Sequence, residues 1–499
     1  MALDCNKPLV KRIRTPSGYY LYDSRSNRLL QVTKRMSEII DCVDIVPEEE
    51  ILNLHKDKAT TKHAINILRE LSQKKGLFRP GPLKARGSLV YDDFVASQLK
   101  YGAEMMTLEV TDLCNLRCHY CIFSGGYEYY PKHGVRKMST EVGRRAIDFY
   151  LSTRMDAQEL SIGFYGGEPL LNFDLVQYCC EYAIESEKKN GQTRQLHFSI
   201  TTNGTLLSNE TISWLMDKEF NVTVSCDGPA HIHDKHRILP SGKGSFDQVF
   251  LNLQEIYEKN PKYYENHILI NCVLCPCSDL MEIREFFENN SHLFRNKIRV
   301  SNVNPEYPDY FNEHPAYEGR SKDWDMLHQE YITAHLHGRT NSKRFQNSFC
   351  RSLFEHDYLL FHRRQILDEA HETLNRVNSC FPGGRKIFVD VEGNLHVCER
   401  VTRHFPIGTI WDGYNLKATK NVFNNFSKTM DSTVCRSCWV VQLCPNCLTC
   451  GTDGNFPADF QIQDCPKYSN WVEEMITNYC KVLEQNPNAF DYMDDYLLS

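Results

Sequence analysis

Short apolar runs alternate with amphipathic segments through the middle of the chain, from about residue 105 to residue 340. The apolar runs have the length of strands, and the amphipathic segments have the length and periodicity of helices. A repeated strand–helix order predicts parallel strands in one sheet, with helices packed against it. The predicted strands are Thr107–Val110, Leu160–Phe164, Leu196–Thr201, Asn221–Ser225, His267–Leu274 and Lys297–Val300.

The N-terminal region has a different pattern. The segments Tyr19–Asp23 and Arg28–Val32 predict two strands around a turn at Ser24–Asn27. Helical periodicity follows at Glu38–Val43 and Lys62–Lys75. Two strands followed by helices predict a small separate module at residues 1–95.

The C-terminal region predicts a second pair of strands, Lys386–Val391 and Leu395–Val397, around a turn at Gly393. The last residues are acidic with scattered aromatic side chains, which predicts a mobile tail. We therefore divide the chain into a module at 1–95, a strand–helix domain at 96–340, a bridging segment at 341–378, a cysteine-rich domain at 379–482 and a tail at 483–499.

Composition and charge argue against several classes of protein function. A chain of 499 residues with 41% hydrophobic residues has material for about three domains. The net charge of −7 and the lack of a long basic block argue against a nucleic-acid binder. The sequence has neither a secretory signal pattern nor an apolar run long enough to span a membrane. We expect a cytoplasmic protein with no membrane or nucleic-acid partner.

The chain contains 21 cysteines, and most of the clustered ones have ligand spacing. Clustered cysteines in a reducing compartment indicate metal or redox chemistry rather than disulfides. Cys114, Cys118 and Cys121 follow the first predicted strand with C-x3-C-x2-C spacing. Three thiolates can hold three irons of a four-iron cluster and leave the fourth iron open. The alternative is a zinc site, for which His119 is the nearest additional ligand.

This segment resembles the signature of the radical S-adenosylmethionine (radical SAM) enzymes, including the aromatic Tyr120 before the last cysteine. The resemblance implies a partial (β/α)6 barrel. It also implies that the open iron binds S-adenosylmethionine, and that the reduced cluster cleaves it to a 5′-deoxyadenosyl radical. The segment Gly166-Gly167-Glu168-Pro169 resembles the family's GGEP element. By that resemblance, Gly166, Gly167 and Glu168 contact the methionine amino group.

A further strand end carries Ser225-Cys226-Asp227-Gly228-Pro229, followed by Arg237. This resembles the family's S-x-D-G-P…R element, which implies that Ser225 and Arg237 bind the carboxylate of S-adenosylmethionine. An arginine suits that role, because its planar fork matches a carboxylate. The alternative for Arg237 is an ion pair within the protein. Thr201 and Asn203 are further candidates for ribose or methionine contacts.

The C-terminal cysteines resemble the SPASM domain, which carries two auxiliary four-iron clusters; a pair of zinc knuckles is the alternative. When the ligand pattern of the SPASM family is applied to this sequence, it implies one outer cluster and one inner cluster. The outer ligands are Cys435, Cys438, Cys444 and Cys465, and the inner ones are Cys380, Cys398 and either Cys447 or Cys450. Fully ligated relatives have one more cysteine before the first of these, and here Cys350 is the only near candidate. Either Cys350 completes the inner cluster, or an open iron there can hold a substrate thiolate.

The order of modules resembles the maturases of ribosomally synthesised peptides, and most of all the thioether-forming sactipeptide and ranthipeptide synthases. This implies a winged-helix-like leader-recognition module at 1–95, a cysteine-rich precursor peptide as substrate, three [4Fe-4S] clusters with S-adenosylmethionine, and a flavodoxin- or ferredoxin-like reductant. A leader peptide would add a strand to the exposed edge of the module's sheet. Alternatives are a carbon–carbon crosslinking maturase, a formylglycine-generating sulfatase maturase, a multi-cluster electron carrier and a zinc-based interaction protein. The pattern singles out no general base.

Overall fold

The computed structural model describes residues 7–85, 92–127, 132–294, 298–303, 308–373, 380–401, 403–445 and 460–495. Its strands are β1 Val10–Arg14, β2 Tyr19–Asp23, β3 Arg28–Val32, β4 Met105–Thr111, β5 Glu159–Gly166, β6 Gln195–Thr202, β7 Asn221–Ser225, β8 Ile268–Leu274, β9 Ile298–Asn302, β10 Lys386–Val389, β11 Asn394–His396, β12 Gly408–Thr409 and β13 Gly413–Tyr414.

The helices connect and flank these strands. They are α1 Lys34–Ile39, α2 Glu48–Asn53, α3 Lys58–Lys75, α4 Asp92–Lys100, α5 Thr140–Thr153, α6 Phe173–Lys189, α7 Asn209–Asp217, α8 Ala230–His233, α9 Phe246–Lys259, α10 Pro261–His267, α11 Leu280–Asn289, α12 Ser291–Phe294, α13 Pro308–Glu313, α14 Arg320–Leu336, α15 Lys343–Gln346, α16 Phe349–His362, α17 Leu416–Met430, α18 Thr433–Arg436 and α19 Phe460–Gln485. Short 3-10 helices lie at Pro169–Asn172 and Asp491–Met493. None of the helices in the described ranges is both long and apolar enough to cross a membrane.

Strands β4 to β9 lie side by side in chain order, each parallel to the next. This confirms the predicted α/β class and all six predicted strands to within two residues. It is also the strand order of a partial (β/α)6 barrel. Because consecutive strands are parallel, their carboxyl ends meet at one edge of the sheet, and the loops there can build a common site.

The C-terminal strands extend this same sheet. Strand β10 pairs parallel to β4, with Ile387 opposite Met106, and β11, β12 and β13 continue it antiparallel to a total of ten strands. The sequence predicted the β10–β11 pair but placed it in a separate domain. Pairing between strands so distant in sequence leaves no local signal. Backbone hydrogen bonds between β10 and β4 therefore join the cysteine-rich region to the first strand of the parallel sheet.

The N-terminal module is a three-stranded antiparallel sheet in the order β1-β2-β3, covered by three helices. The predicted β2 and β3 are confirmed with their bounds. The sequence missed β1 and α2, and it placed the first helix at Glu38–Val43, whereas α1 ends at Ile39. The Thr33 side chain accepts a hydrogen bond from the Met36 backbone N–H and so fixes the earlier start.

One edge of this small sheet is docked against the C-terminal part of the chain. Lys11 on β1 forms an ion pair with Glu473 of α19 and lies over the ring of Trp439. The Ser24 hydroxyl donates to the Trp439 carbonyl at 2.5 Å. Glu484 of α19 accepts a hydrogen bond from Thr15 at 2.5 Å. Strand β1 thus faces α19, and β3 forms the opposite edge of the sheet.

The described part of the predicted mobile tail is packed, so that prediction is wrong for residues 483–495. Helix α19 continues to Gln485, and Phe490 beyond it is fully buried. The Phe490 ring stacks on Tyr479 and Tyr358, with ring centres 4.7 and 5.7 Å apart. We predicted mobility from the net acidity of the segment. Burial of its aromatic side chains instead holds the segment against the rest of the protein.

Candidate functional site

The first group of candidate ligands lies in the loop that follows β4. Cys114 is buried, and Cys118 and Cys121 are half-buried. Two of the thiols accept backbone hydrogen bonds: Cys114 Sγ from the Leu116 N–H and Cys121 Sγ from the Phe123 N–H, each at 3.4 Å. Such bonds stabilise a thiolate, and hydrogen bonds to the sulfurs are one way in which proteins tune an iron–sulfur cluster.

The three thiols also influence one another electrostatically. The pKa is raised to about 11 for Cys114, to about 12 for Cys118 and to about 11 for Cys121; burial is the main cause, and another thiol of the group contributes to each shift. Thiols with these pKa values stay protonated at neutral pH until a metal displaces the protons. Three neighbouring thiols, two of them with backbone donors, suit a cluster held by three cysteines.

The glycines of Gly166-Gly167-Glu168-Pro169 bring the loop after β5 against the loop after β4. A Cβ on Gly166, whose φ is +136°, would lie 2.1 Å from the Thr111 carbonyl oxygen. A Cβ on Gly167 would lie 2.3 Å from the Leu113 carbonyl oxygen. The family resemblance implied that these glycines contact the methionine amino group of S-adenosylmethionine. The structure shows that they allow close approach to the backbone that leads into Cys114.

Glu168 is fully buried and serves as a hydrogen-bond hub. Its Oε1 accepts from the Thr202 hydroxyl at 2.7 Å and from the Leu170 N–H at 3.1 Å, and its Oε2 accepts from the Asn203 N–H at 2.7 Å. Burial raises the pKa of Glu168 to about 7, although these three donors oppose the shift. The carboxylate therefore ties the ends of β5 and β6 together.

Asn203 connects the end of β6 to the cysteine loop. Its side-chain Nδ2 donates to Asn115 Oδ1 at 2.8 Å and lies 3.9 Å from Cys114 Sγ. Its Oδ1 accepts from Thr205, at 3.0 Å from the N–H and 2.7 Å from the hydroxyl. Thr201 lies on β6 opposite Thr223 of β7, one residue before the end of the strand.

The Ser225–Arg237 element contains a buried ion pair. Arg237 Nε donates to Asp227 Oδ2 at 2.8 Å, and Nη2 donates to Asp227 Oδ1 at 3.2 Å. Asp227 also accepts from the Tyr120 hydroxyl and from the Val273 N–H. The Arg237 guanidinium lies 5.3 Å from the centre of the Tyr120 ring.

The partners of Arg237 favour the ion-pair alternative for that side chain. Burial raises the pKa of Asp227, but Arg237 and His233 more than compensate, and the net shift is downward. Arg237 also lowers the pKa of Cys118 against the effect of burial. Arg237 thus links Asp227 to the cysteine loop, a role for Asp227 that the sequence did not indicate. Ser225 is buried at the end of β7, opposite Asn271.

The four predicted ligands of the outer cluster converge. Cys435 is buried, whereas Cys438, Cys444 and Cys465 are half-buried. The pKa of Cys438 is raised to about 12, mainly by burial, with a contribution from each of the other three thiols. Three thiols near Cys438, contributed with it by two helices and their connecting segment, suit a cluster with four cysteine ligands.

The predicted inner ligands are only partly described. Cys398 is half-buried after β11 and Cys380 is exposed, whereas Cys447 and Cys450 lie outside the described residues. Cys350 is buried in α16, with its Sγ 3.1 Å from the Ser348 hydroxyl. Besides burial and Ser348, the groups that act on the Cys350 pKa are Glu330 of α14 and Glu288 and Arg284 of α11. This position argues against Cys350 as the missing ligand.

One buried ion pair on the strand that leads to the cysteine loop was not predicted. Glu109 on β4 is buried and accepts from Arg403 Nη2 at 3.1 Å. Burial raises the Glu109 pKa, and Arg403 only partly offsets this. Glu109 is the one charged residue of β4, and this was the signal in the sequence. A charge buried in a strand requires a partner, which here is Arg403.

The C-terminal region approaches the first cysteine loop at Tyr165. Burial raises its pKa, and Glu399 and Cys121 both raise it further. Glu399 directly follows Cys398 and forms an ion pair with Lys386 at 2.7 Å. The segment after Cys398 and the loop carrying Cys121 therefore lie near the same tyrosine.

The close packing at Gly166 gives a testable prediction. We expect Gly166→Ala to displace the loop after β4, because the new Cβ meets a backbone oxygen and the residue keeps a left-handed φ. The iron content and the thermal midpoint of the reconstituted protein should both fall. Gly191→Ala is the matched control: its φ is +64°, but no atom lies within 4 Å of the added Cβ, so only backbone strain results. Equal losses in the two variants would contradict the packing role.

Residues 108–287 match the family model described as the Radical SAM superfamily. The chain is 34% identical over 145 residues to a serine-type anaerobic sulfatase-maturating enzyme of Bacteroides thetaiotaomicron, covering 29% of this chain and 34% of the relative. It is 24% identical over 265 residues to the radical SAM cyclopropyl synthase TigE of Paramaledivibacter caminithermalis, covering 50% and 52%. The matched part of the chain thus spans about a third of the length of the sulfatase-maturating enzyme and about half of the length of the cyclopropyl synthase.

Longer matches also occur. A cysteine-type anaerobic sulfatase-maturating enzyme of Clostridium novyi is 23% identical over 371 residues, covering 71% of this chain and 89% of the relative. The solved structure of native anSMEcpe with bound AdoMet and a Cp18Cys peptide superposes with a TM-score of 0.54 at 20% identity, covering 79% of this chain and 99% of that chain. This likeness indicates a shared fold.

Proposed function

We propose that this chain, whose residues 108–287 form a radical SAM domain, installs thioether crosslinks in a cysteine-rich ribosomally synthesised precursor peptide. The observation that carries the proposal is the docking of the three-stranded N-terminal sheet onto the cysteine-rich C-terminal region. That docking places a module suited to peptide binding beside a second group of candidate cluster ligands.

The residues fit three [4Fe-4S] clusters and S-adenosylmethionine. Cys114, Cys118 and Cys121 would hold the first cluster; Cys435, Cys438, Cys444 and Cys465 would hold the outer auxiliary one. When bound, the reduced first cluster and S-adenosylmethionine supply a 5′-deoxyadenosyl radical. The chain's own contribution is to fix the loop: Tyr120 is held by Asp227, and Glu168 joins neighbouring strand ends. A flavodoxin- or ferredoxin-like protein in the cytoplasm is the proposed electron donor.

The outer edge of β3 is the proposed site for the leader of the precursor. In the described ranges, β3 pairs only with β2, whereas β1 at the other edge faces α19. An extended peptide can add to such an edge through backbone hydrogen bonds. We expect the peptide encoded beside this gene to slow hydrogen exchange of the amides of residues 28–32. Amides of residues 10–14 provide an internal control and should not change.

An open position on the inner auxiliary cluster is the proposed seat of a substrate thiolate. Cys398 and Cys380 contribute two of its ligands, and Cys447 or Cys450 contributes a third. The position of Cys350 in α16 supports a missing protein ligand rather than a fourth cysteine. Iron accepts thiolate readily, so a substrate cysteine could occupy the vacant position.

A sulfatase maturase is the second candidate, favoured by the names and spans of the relatives from Bacteroides thetaiotaomicron and Clostridium novyi. The N-terminal sheet argues for the peptide maturase, because a leader-binding module has no evident use on a folded sulfatase. The cyclopropyl synthase relative keeps a carbon–carbon bond-forming maturase as a third candidate.

Mass spectrometry of modified peptides separates these candidates. The reconstituted enzyme is incubated anaerobically with reductant, S-adenosylmethionine and either the neighbouring cysteine-rich peptide or a sulfatase-motif peptide. We expect the cysteine-rich peptide to lose two hydrogens per crosslink and to lose reactivity toward a thiol alkylating reagent. The same mass change with all thiols still reactive would indicate a carbon–carbon crosslink. Formylglycine in the sulfatase peptide alone would contradict the proposal.

A further inference from the structure

Three histidines from three separate loops meet beside the cysteine loop. His119 lies between Cys118 and Cys121, His236 lies between β7 and α9, and His314 directly follows α13. One ligand nitrogen from each histidine lies within 4.8 Å of those of the other two. Among the described residues, this is a group that can hold a single metal ion without using any of the candidate cluster cysteines.

The three imidazole rings lie close to one another. Their centres are 5.8 Å apart for His119 and His236, 6.1 Å for His119 and His314, and 4.8 Å for His236 and His314. The loops that carry them are also fixed to each other. The His119 N–H donates to the His236 carbonyl at 3.2 Å, and the Arg117 N–H donates to the Ile238 carbonyl at 2.7 Å.

His236 is the buried member of the group, with 1% of its surface exposed. Its Nε2 lies 3.6 Å from Cys277 Sγ, whereas its Nδ1 has no hydrogen-bond partner in the part of the chain that the structure describes. A buried polar atom without a partner is unfavourable, and coordination of a metal removes that cost. A metal-bound histidine usually engages a second group through its other nitrogen, as the Cys277 contact allows here.

A cavity of about 360 Å³ adjoins the group. Its lining includes His119, His314, Cys118 and the carboxylate-bearing Glu313. A three-histidine site beside a cavity has room for a fourth ligand from solvent, from Glu313 or from a bound molecule. Zinc sites with three protein ligands and one open position have this composition.

We propose that His119, His236 and His314 bind one divalent transition-metal ion, with Zn²⁺ the expected one, separately from the iron–sulfur clusters. Imidazole suits zinc, and zinc binds such ligands more tightly than ferrous iron does. Because His119 belongs to the cysteine loop, the ion would join this loop to the segments after β7 and β9. Its open position would face the cavity.

Zinc retention in the fully reconstituted protein tests the proposal. The protein is loaded with iron and sulfide, given one equivalent of Zn²⁺, desalted and analysed for both metals. We expect one zinc per chain in the wild type and loss of that zinc in His314→Ala, with iron content unchanged. His133→Ala is the matched control, because His133 lines the same cavity but lies outside the group of three. It should retain the zinc.

Zinc X-ray absorption separates this site from zinc misplaced on the cysteines. We expect nitrogen neighbours at about 2.0–2.1 Å and no sulfur shell at about 2.3 Å. A sulfur shell, or zinc retention at the wild-type level in both His314→Ala and a His119→Ala/His236→Ala variant, would overturn the proposal. Iron content reports on the clusters in the same samples, so failure here leaves the proposed peptide chemistry separately testable.

Discussion

Replacing Cys114, Cys118 and Cys121 together by alanine is expected to remove about four irons per chain and all cleavage of S-adenosylmethionine. The three thiols are mutually coupled and receive backbone hydrogen bonds suited to thiolates. Without them, the first cluster has no protein ligands. Iron, acid-labile sulfide and 5′-deoxyadenosine are measured on anaerobically reconstituted protein. The wild type should hold about twelve irons and the variant about eight.

The matched control is Cys179→Ala. Cys179 is a fully buried thiol in α6, and burial raises its pKa to about 12. Its replacement leaves a small cavity and should lower stability modestly without changing the iron count. Iron loss of the same size in both variants would show that the loss follows from general misfolding. Unchanged iron in the triple variant would contradict the ligand assignment.

Arg237→Met is expected to be the most destabilising single substitution near the site. It leaves Asp227 buried without its bidentate partner, and breaking such a pair costs about 3–5 kcal/mol. Tyr120 and Cys118 lose the same cation, so the cysteine loop should also hold its cluster less well. A lower thermal midpoint together with faster iron loss to a chelator is the expected result.

A double variant tests the cause. In Asp227→Asn/Arg237→Met, no unpaired charge remains, so part of the lost stability should return. The control is Arg144→Met, which breaks exposed pairs with Glu141 and Asp148 and should cost at most about 1 kcal/mol. If the double variant is as unstable as Arg237→Met plus Asp227→Asn, the two residues are not coupled and the ion-pair account is wrong.

The parallel strands could be predicted from sequence because each one is a short apolar run followed by an amphipathic helix. The addition of β10 to β4 could not, since it joins residues about 280 positions apart and has no local pattern. The tail was misjudged for a related reason. Its acidity is a surface property, whereas burial of Phe490 depends on aromatic partners in α16 and α19.

In the candidate site, too, some features could be predicted from the sequence and others could not. Spacing singled out the cysteines as candidate ligands, and the family resemblance supplied their assignment to clusters. Roles of individual polar residues depended on partners that sequence does not show. Asp227 emerged only as the partner of Arg237, and Glu168 proved to have three donors from its own chain. His119 was considered only as an alternative ligand for the cysteine motif, yet it faces His236 and His314.

Transfer of deuterium from peptide to 5′-deoxyadenosine tests the central claim most directly. A cysteine-rich precursor, deuterated at its carbon-bound side-chain and Cα positions, is given to the reduced enzyme with unlabelled S-adenosylmethionine. The account predicts deuterium in 5′-deoxyadenosine and a crosslinked peptide in matching amounts. Unlabelled 5′-deoxyadenosine beside an unmodified peptide would contradict the claim that this chain is a radical peptide-modifying enzyme for such a substrate.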